Sequence, residues 1–162
     1  MNSVSGSKLI YLLYYFLLAM LMLRPFLEGN IVSDLPFWFA HALATPSKRG
    51  IVEVERANIV YETWGNAGNP GAILIHGSNA HLEWWRFTAP FLADKLHIVA
   101  LDLSGNGDSD WRERYSGELF AKEVMAVAEA ASMKENPFIV GHSFGGYVAL
   151  ETCHYFQEKI SS

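Results

Sequence analysis

The sequence has almost no cysteine and no cluster of basic residues. Cys153 is the only cysteine among 162 residues, which excludes an internal disulfide and a metal site built from several thiolates. Lys and Arg number 12 against 17 Asp and Glu, for a formal net charge of -5, and no basic stripe is present that would neutralise phosphates. We therefore expect no nucleic-acid partner, and no motif implies a metal or an organic cofactor.

The chain also lacks the composition of a disordered protein. Hydrophobic residues make up 51% of it and charged residues only 18%, which is enough apolar side chain for a packed core. A length of 162 residues is typical of one domain.

One uncharged apolar run, residues 9–23, lies between Lys8 and Arg24. As a helix it would span roughly 22 Å, less than the ~30 Å of a bilayer core, although Arg24 can snorkel and lengthen it. Three interpretations remain open: a membrane anchor, a cleaved signal peptide without a recognisable cleavage site, and a buried helix or an extension upstream of a start at Met20 or Met22. We expect membrane association through residues 9–23, with a cytoplasmic protein as the alternative. We divide the chain into an N-terminal segment, 1–33, and a domain, 34–162.

Within this domain, strand patterns alternate with helix patterns. The first two strands flank a corner at residues 56–58 and predict an antiparallel hairpin. The later strands are short, continuous apolar runs, as in a parallel sheet covered on both faces. The pattern predicts an α/β fold with a mostly parallel, doubly wound sheet and an N-terminal antiparallel hairpin. Its expected strands are 51–55, 59–64, 72–75, 97–101 and 137–140, and its expected helices are 36–43, 83–96, 116–132 and 144–159.

The most specific motif is Gly-His-Ser-Phe-Gly-Gly at residues 141–146, between the last strand and the last helix. It has the Gly-x-Ser-x-Gly pattern of a nucleophile elbow, in which the strand and the helix approach too closely for side chains beside the strained turn. We assign the elbow geometry to four residues: Gly141, His142, Gly145 and Gly146. Ser143 is the predicted nucleophile, and the N–H of Phe144 is a predicted oxyanion donor. The alternative is a tight turn without chemistry.

Two further loops follow predicted strands. In His76-Gly77-Ser78-Asn79, Gly77 permits close backbone approach, and Ser78 is the predicted second oxyanion donor through its N–H. We interpret His76 as a structural histidine bonded within the loop. The second loop, residues 102–109, contains a Gly-x-Gly pattern but opens no helix, so we interpret it as a sharp loop in which Asp102 caps backbone N–H groups.

Together, the three motifs and their order resemble the α/β-hydrolase superfamily over about residues 34–159. The resemblance implies a serine nucleophile acting on a small-molecule ester or related acyl substrate. A serine at 143, where an aspartate would stand in haloalkane dehalogenases and epoxide hydrolases, argues against those branches. Two roles remain open for Trp84 and Trp85, a wall of the acyl pocket or packing in the core.

The catalytic histidine has no clear candidate. In this superfamily the acid and the histidine follow the serine along the chain, and only residues 144–162 follow Ser143. His142 lies within the elbow and His154 on the next helix, which leaves His81 as the remaining alternative. We therefore expect an N-terminal part of a hydrolase that lacks the C-terminal strands, the catalytic acid and the histidine, and that is inactive by itself. The alternative is a non-catalytic, membrane-tethered binding module derived from the same fold.

Overall fold

The computed structural model describes residues 35–134 and 136–161. The described residues from His41 onward belong to one compact unit. The apolar run 9–23 and the boundary expected between residues 33 and 34 lie outside the described residues. In the described part of the chain, no helix is both long enough and apolar enough to cross a membrane.

The described strands form one mixed sheet in the order β1-β2-β4-β3-β5. β1 pairs with β2, and β2 with β4, in antiparallel fashion, whereas β3 pairs in parallel with both β4 and β5. The expected α/β class with its N-terminal antiparallel hairpin is therefore confirmed. The strands are β1 (Lys48–Val54), β2 (Ala57–Trp64), β3 (Gly71–Ile75), β4 (His97–Leu101) and β5 (Phe138–Gly141), and the helices are α1 (Phe37–Ala44), α2 (Ala89–Leu92), α3 (Gly117–Ala130) and α4 (Phe144–Phe156), with 3-10 turns at Leu82–Trp85 and Gln157–Lys159.

Every residue of β3 and β4 is buried, because helical segments cover both faces of the sheet. One face contributes a core shared with α3 and α4, built from residues such as Ile73, Val99, Phe120 and Val148. The other face packs Leu74 and its neighbours against the 3-10 turn and α2. This two-sided burial explains why both strands are continuous apolar runs.

The hairpin turn differs from the expected corner at residues 56–58. Ala57 already pairs with Val54, so only Glu55 and Arg56 make the turn, with φ of 46° and 67°. Positive φ at both central residues is the pattern of a type I′ turn, which usually takes Asn or Gly. Here Arg112 donates a hydrogen bond to the carbonyl of Glu55 at 3.0 Å, so a distant contact supports residues that do not favour the turn.

The expected helix at 83–96 is wrong. The segment breaks into the 3-10 turn Leu82–Trp85 and the short helix α2. Pro90 explains the break, because in a continuous helix it would lack a bonding N–H and would clash with the carbonyl of Arg86. The helix begins again at Ala89, where proline fits the first turn.

Helices α3 and α4 lie close to their expected positions. Ser116 caps α3 as predicted, and its hydroxyl accepts a hydrogen bond from the N–H of Leu119 at 3.1 Å. α4 begins at Phe144 as expected but ends at Phe156, and its last predicted turn is the 3-10 turn. The N–H of Ser161 donates to the carbonyl of Pro137 at 3.1 Å, which places the chain after α4 beside the start of β5.

Candidate active site

Ser143 is in a backbone conformation that L-amino acids avoid. It lies between the end of β5 and the start of α4, is exposed, and has φ 54° and ψ −116°. Such conformations cost on the order of 1–3 kcal/mol and persist only where the surroundings impose them. The N–H of His142 donates to the carbonyl of Ile75 at 3.0 Å, and the N–H of Gly146 donates to the carbonyl of Ser143 at 2.9 Å. These bonds hold the turn against β3 and α4.

Two of the elbow glycines lie where a side chain has no room. A Cβ at Gly141 would lie 2.1 Å from the carbonyl oxygen of Gly145, and a Cβ at Gly145 would lie 2.3 Å from that of Ile75. Gly146 is different, because the nearest atom to its Cβ position is 3.7 Å away, an ordinary contact. The close approach of strand and helix therefore requires glycine at positions 141 and 145 but leaves space at position 146.

The loop after β3 contacts the elbow at Gly77. A Cβ there would lie 3.0 Å from Nδ1 of His142 and 3.2 Å from Cβ of Ser143. The carbonyl of Gly77 accepts a hydrogen bond from the N–H of Ala80 at 3.3 Å, which closes a turn through Ser78 and Asn79. Asn79 has φ 54°, a conformation that Asn tolerates in turns. We call residues 76–80, which contain the predicted oxyanion donor Ser78, the oxyanion loop.

Two backbone donors beside Ser143 have no acceptor in the described part of the chain. The N–H of Phe144, at the first position of α4, and the N–H of Ser78 donate no hydrogen bond to another described residue. An N–H in the first turn of a helix is left without an intrahelical partner and carries part of the positive end of the helix dipole. Neither predicted donor is therefore occupied by another described residue.

His76 and Asp102 are buried and join the loops that surround the site. Nδ1 of His76 donates to the carbonyl of Gly77 at 2.7 Å, and its Nε2 accepts from the N–H of Leu103 at 3.1 Å. Burial is the main cause that lowers the pKa of His76. The carboxylate of Asp102 accepts from the N–H of Leu82 at 2.6 Å and from that of Asp108 at 2.9 Å. Each residue bonds within its own loop, as expected from the sequence, and also to a second segment, the loop after β4 for His76 and the 3-10 turn for Asp102.

Trp84 and Trp85 have different environments. Trp85 packs against the core on the face of the sheet that contains Leu74. Trp84 is 50% exposed, and its ring stacks on that of His142 at 5.7 Å between centroids with an angle of 21°. At the other neighbour of Ser143, the ring of Phe144 meets that of Phe120 edge-on, with 5.4 Å between centroids. Aromatic rings therefore flank both residues adjacent to Ser143.

A buried ion pair behind the site was not expected from the sequence. Glu123 is fully buried on α3, and its carboxylate accepts from Nε of Arg112 at 2.9 Å and from the N–H of Ser104 at 3.0 Å. Burial raises the pKa of Glu123. Arg112 also donates to the carbonyl of Val54 at 2.6 Å, so the pair joins the loop after β4 to α3 and the hairpin. The signal for it is a charged residue within the apolar face of a helix.

The general base is not found among the described residues. No described histidine forms a hydrogen bond with the hydroxyl of Ser143, and His154 instead packs against Tyr155 with ring centroids 4.7 Å apart. His81 is exposed and precedes the 3-10 turn. In the described ranges, no group of three or more His, Cys, Asp or Glu side chains is arranged to hold a metal ion. Among the described residues, the predicted nucleophile Ser143 therefore has no histidine bonded to its hydroxyl that would accept a proton.

Comparison with known proteins gives a consistent result. A family model described as alpha/beta hydrolase fold matches residues 73–162. The chain is 33% identical over 99 residues to the uncharacterized hydrolase YugF of Bacillus subtilis, covering 60% of this chain and 36% of that protein. It is 39% identical over 99 residues to protein phosphatase methylesterase 1 of Bos taurus, covering 57% and 26%.

The solved structures agree with these matches. A crystal structure of a membrane phospholipase A, described as a bacterial virulence factor, is 26% identical with a TM-score of 0.65, covering 95% of this chain and 49% of that one. The chain therefore spans about a quarter to a half of the length of these proteins.

Proposed function

Since the chain belongs to the alpha/beta hydrolase fold family, we propose that it carries the nucleophile and the oxyanion hole of a serine hydrolase. The observation that supports this most directly is the strained conformation of Ser143 next to the backbone N–H groups of Phe144 and Ser78, which donate to no other described residue. Non-glycine residues in strained backbone conformations cluster at functional sites.

The proposed reaction begins with attack by Oγ of Ser143 on the carbonyl carbon of the substrate. The N–H groups of Phe144 and Ser78 donate to the oxygen that becomes negatively charged, and such donors stabilise the tetrahedral intermediate strongly in a site that is already organised. The intermediate collapses to an acyl-enzyme as the alcohol or amine leaves with a proton, and water then releases the acid. We propose that a histidine with an acid partner moves this proton, and we assign none of the described histidines to that role.

The proposed substrate is a small-molecule ester or a related acyl compound with an apolar group. The half-exposed ring of Trp84 offers a flat apolar surface beside the elbow, and aromatic surfaces favour apolar or planar groups. Relatives named as a methylesterase and a phospholipase support an ester. No organic cofactor or metal takes part in this proposal.

A fluorophosphonate probe tests the assignment of the nucleophile. The probe reacts with activated serines, so the protein as its gene encodes it should be labelled, and Ser143→Ala should remove the label. Ser78→Ala is the matched control, because it keeps the backbone N–H that we assign to the oxyanion hole and should still be labelled. Persistent labelling of Ser143→Ala would refute the assignment. An unlabelled parent protein would favour the non-catalytic binding module.

We further propose that residues 9–23 associate the protein with a membrane. The run is apolar and bounded by Lys8 and Arg24. The intact protein should sediment with membranes and resist carbonate extraction, and a variant that starts at Met22 should be released. Recovery of the intact chain in the soluble fraction would favour the cytoplasmic alternative.

A further inference from the structure

His76 is fully buried and uses both of its ring nitrogens. Nδ1 lies 2.7 Å from the carbonyl oxygen of Gly77, and Nε2 lies 3.1 Å from the backbone nitrogen of Leu103. A carbonyl only accepts hydrogen bonds and a backbone N–H only donates them. The two bonds therefore assign a neutral ring with its proton on Nδ1.

The bond from Nδ1 acts on the oxyanion donor through a single peptide group. The carbonyl of Gly77 and the N–H of Ser78 belong to the same planar unit, so fixing the direction of one fixes the other. The carbonyl of Gly77 accepts a second bond from the N–H of Ala80, but that distance is 3.3 Å. The shorter bond from His76 is the stronger restraint on the orientation of this peptide.

The hydrogen bond at the second ring nitrogen, Nε2, connects this peptide to the loop that follows β4. Leu103 is buried just after β4, so the ring of His76 joins the oxyanion loop to a rigid part of the core. Burial lowers the pKa of His76 more than the nearby Asp102 carboxylate raises it, which favours the neutral ring that both bonds need.

We propose that His76 is a positioning residue of the oxyanion hole, which holds the peptide between Gly77 and Ser78 so that the N–H of Ser78 points at the charge developing next to Ser143. This inference rests on the proposed roles of Ser143 and Ser78. His76 itself touches neither substrate nor the reacting atoms.

Two substitutions at His76 each keep one of the two hydrogen bonds of the ring and remove the other. In His76→Asn the amide nitrogen lies where Nδ1 was and still donates to Gly77, whereas the bond from Leu103 is lost. In His76→Gln the side-chain oxygen reaches the former place of Nε2 and accepts from Leu103, whereas the donor to Gly77 is lost. The measurement is the rate of fluorophosphonate labelling of Ser143, resolved into reversible binding and the bond-forming step, with the thermal unfolding midpoint of each variant as the control for folding.

The proposal predicts unequal effects on the bond-forming step. His76→Gln should slow it by about 10- to 100-fold, below the full loss expected from removing one oxyanion donor, and should leave reversible binding nearly unchanged. His76→Asn should remain within about threefold of the parent protein, well short of the loss of a donor. Equal rates in both variants, or a slowing that follows only the unfolding midpoint, would overturn the positioning role while leaving Ser143 as the nucleophile. A parent protein that is not labelled would overturn this inference together with the proposed function.

A measurement on the unsubstituted protein provides a second test. The proton of a neutral histidine can occupy either ring nitrogen, and the ¹⁵N chemical shifts of the ring distinguish the two tautomers. The structure requires the proton on Nδ1 of His76. A proton found on Nε2 would leave the carbonyl of Gly77 without this donor and would refute the proposal.

Discussion

The carbonyl oxygen of Ile75 occupies the space that a side chain at Gly145 would need. A Cβ at Gly145 would lie 2.3 Å from that oxygen and 2.6 Å from the carbonyl oxygen of His76. Both obstacles are backbone atoms at the end of β3, so neither can rotate away. The first turn of α4 and the end of β3 are therefore in contact through backbone alone, and this contact determines where Ser143 lies.

Alanine substitutions at two adjacent glycines should have opposite outcomes. Gly145→Ala should destabilise the protein by about 1–3 kcal/mol, because overpacking forces the strand or the helix to move, and it should abolish labelling of Ser143. Gly145→Val should be worse. Gly146→Ala, where a Cβ has room, should be neutral or stabilising by up to ~1 kcal/mol, since alanine favours a helix over glycine. Urea unfolding and probe labelling measure both effects. A fully active Gly145→Val protein would show that this geometry is incorrect.

Removing the strain at Ser143 should stabilise the fold. Glycine adopts φ 54° and ψ −116° without steric cost, whereas a residue with a Cβ does not. Ser143→Gly should therefore unfold at a higher temperature than Ser143→Ala, which loses the same hydroxyl but keeps the Cβ. The expected difference is about 1 kcal/mol or more. Identical unfolding midpoints for the two variants would mean that the elbow is not strained.

The oxyanion role of Ser78 depends on its backbone and not on its hydroxyl. Ser78 is the second residue of the turn closed between Gly77 and Ala80, a position that proline favours. Ser78→Pro removes the N–H and should slow labelling of Ser143 by about 10²–10³-fold, the loss typical of one oxyanion donor. Ser78→Ala should label normally. If the proline variant is folded and labelled at the parent rate, the second donor is another group.

Local interactions explain which elements could be predicted from the sequence. Ser116 caps α3 through an N–H three residues later, and β4 is a continuous apolar run between two covered faces, so both were located correctly. The lack of space at Gly141 and Gly145 is also a local effect, because it arises where one strand turns directly into one helix. Pro90 also acts locally, so the break in the helix expected at residues 83–96 could have been predicted from the sequence.

Contacts between distant residues explain what could not be predicted. The turn at Glu55 depends on Arg112, and the partners of Glu123 are Arg112 and the N–H of Ser104. The stacking of Trp84 on His142 joins residues far apart in the sequence. None of these pairs has a periodic signal, because each forms only once the sheet has brought its loops together.

Acid should destabilise the protein through buried histidines. Burial lowers the pKa of His97 below its usual 6.5, so below about pH 6.5 the unfolded chain binds a proton that the folded protein does not, and stability falls as the pH falls. His76 contributes in the same direction, whereas the raised pKa of Glu123 opposes it, since protonation of that carboxyl favours the folded state.

His97→Val isolates one of these contributions. Nδ1 of His97 is buried and forms no hydrogen bond with another described residue, and valine suits a buried strand. The variant should be more stable than the parent protein, with a larger gain in urea unfolding at pH 5.5 than at pH 7.5. A gain that is the same at both pH values would exclude His97 as a titrating group in this range.

The two edge strands of the described sheet, β1 and β5, differ in how well they resist pairing with a strand of another molecule. β1 carries Lys48, Arg49 and Glu53, and charged side chains protect an edge strand. Among the described strands, β5 pairs with β3 alone, and Phe138 and Val140 are 47% and 45% exposed.

An apolar edge with unpaired N–H and C=O groups attracts other strands, so we expect a polypeptide of residues 34–162, free of the apolar run 9–23, to self-associate. Val140→Lys should reduce this association, measured by sedimentation velocity, because a charge on the edge cannot be buried against a second strand. Ile51→Lys is the matched control, since Ile51 is 62% exposed on the already charged edge, and it should change little. If both substitutions reduce association equally, a general gain in solubility and not the edge of β5 is responsible. If the unsubstituted polypeptide is a monomer that unfolds cooperatively, the exposed edge of β5 does not cause self-association.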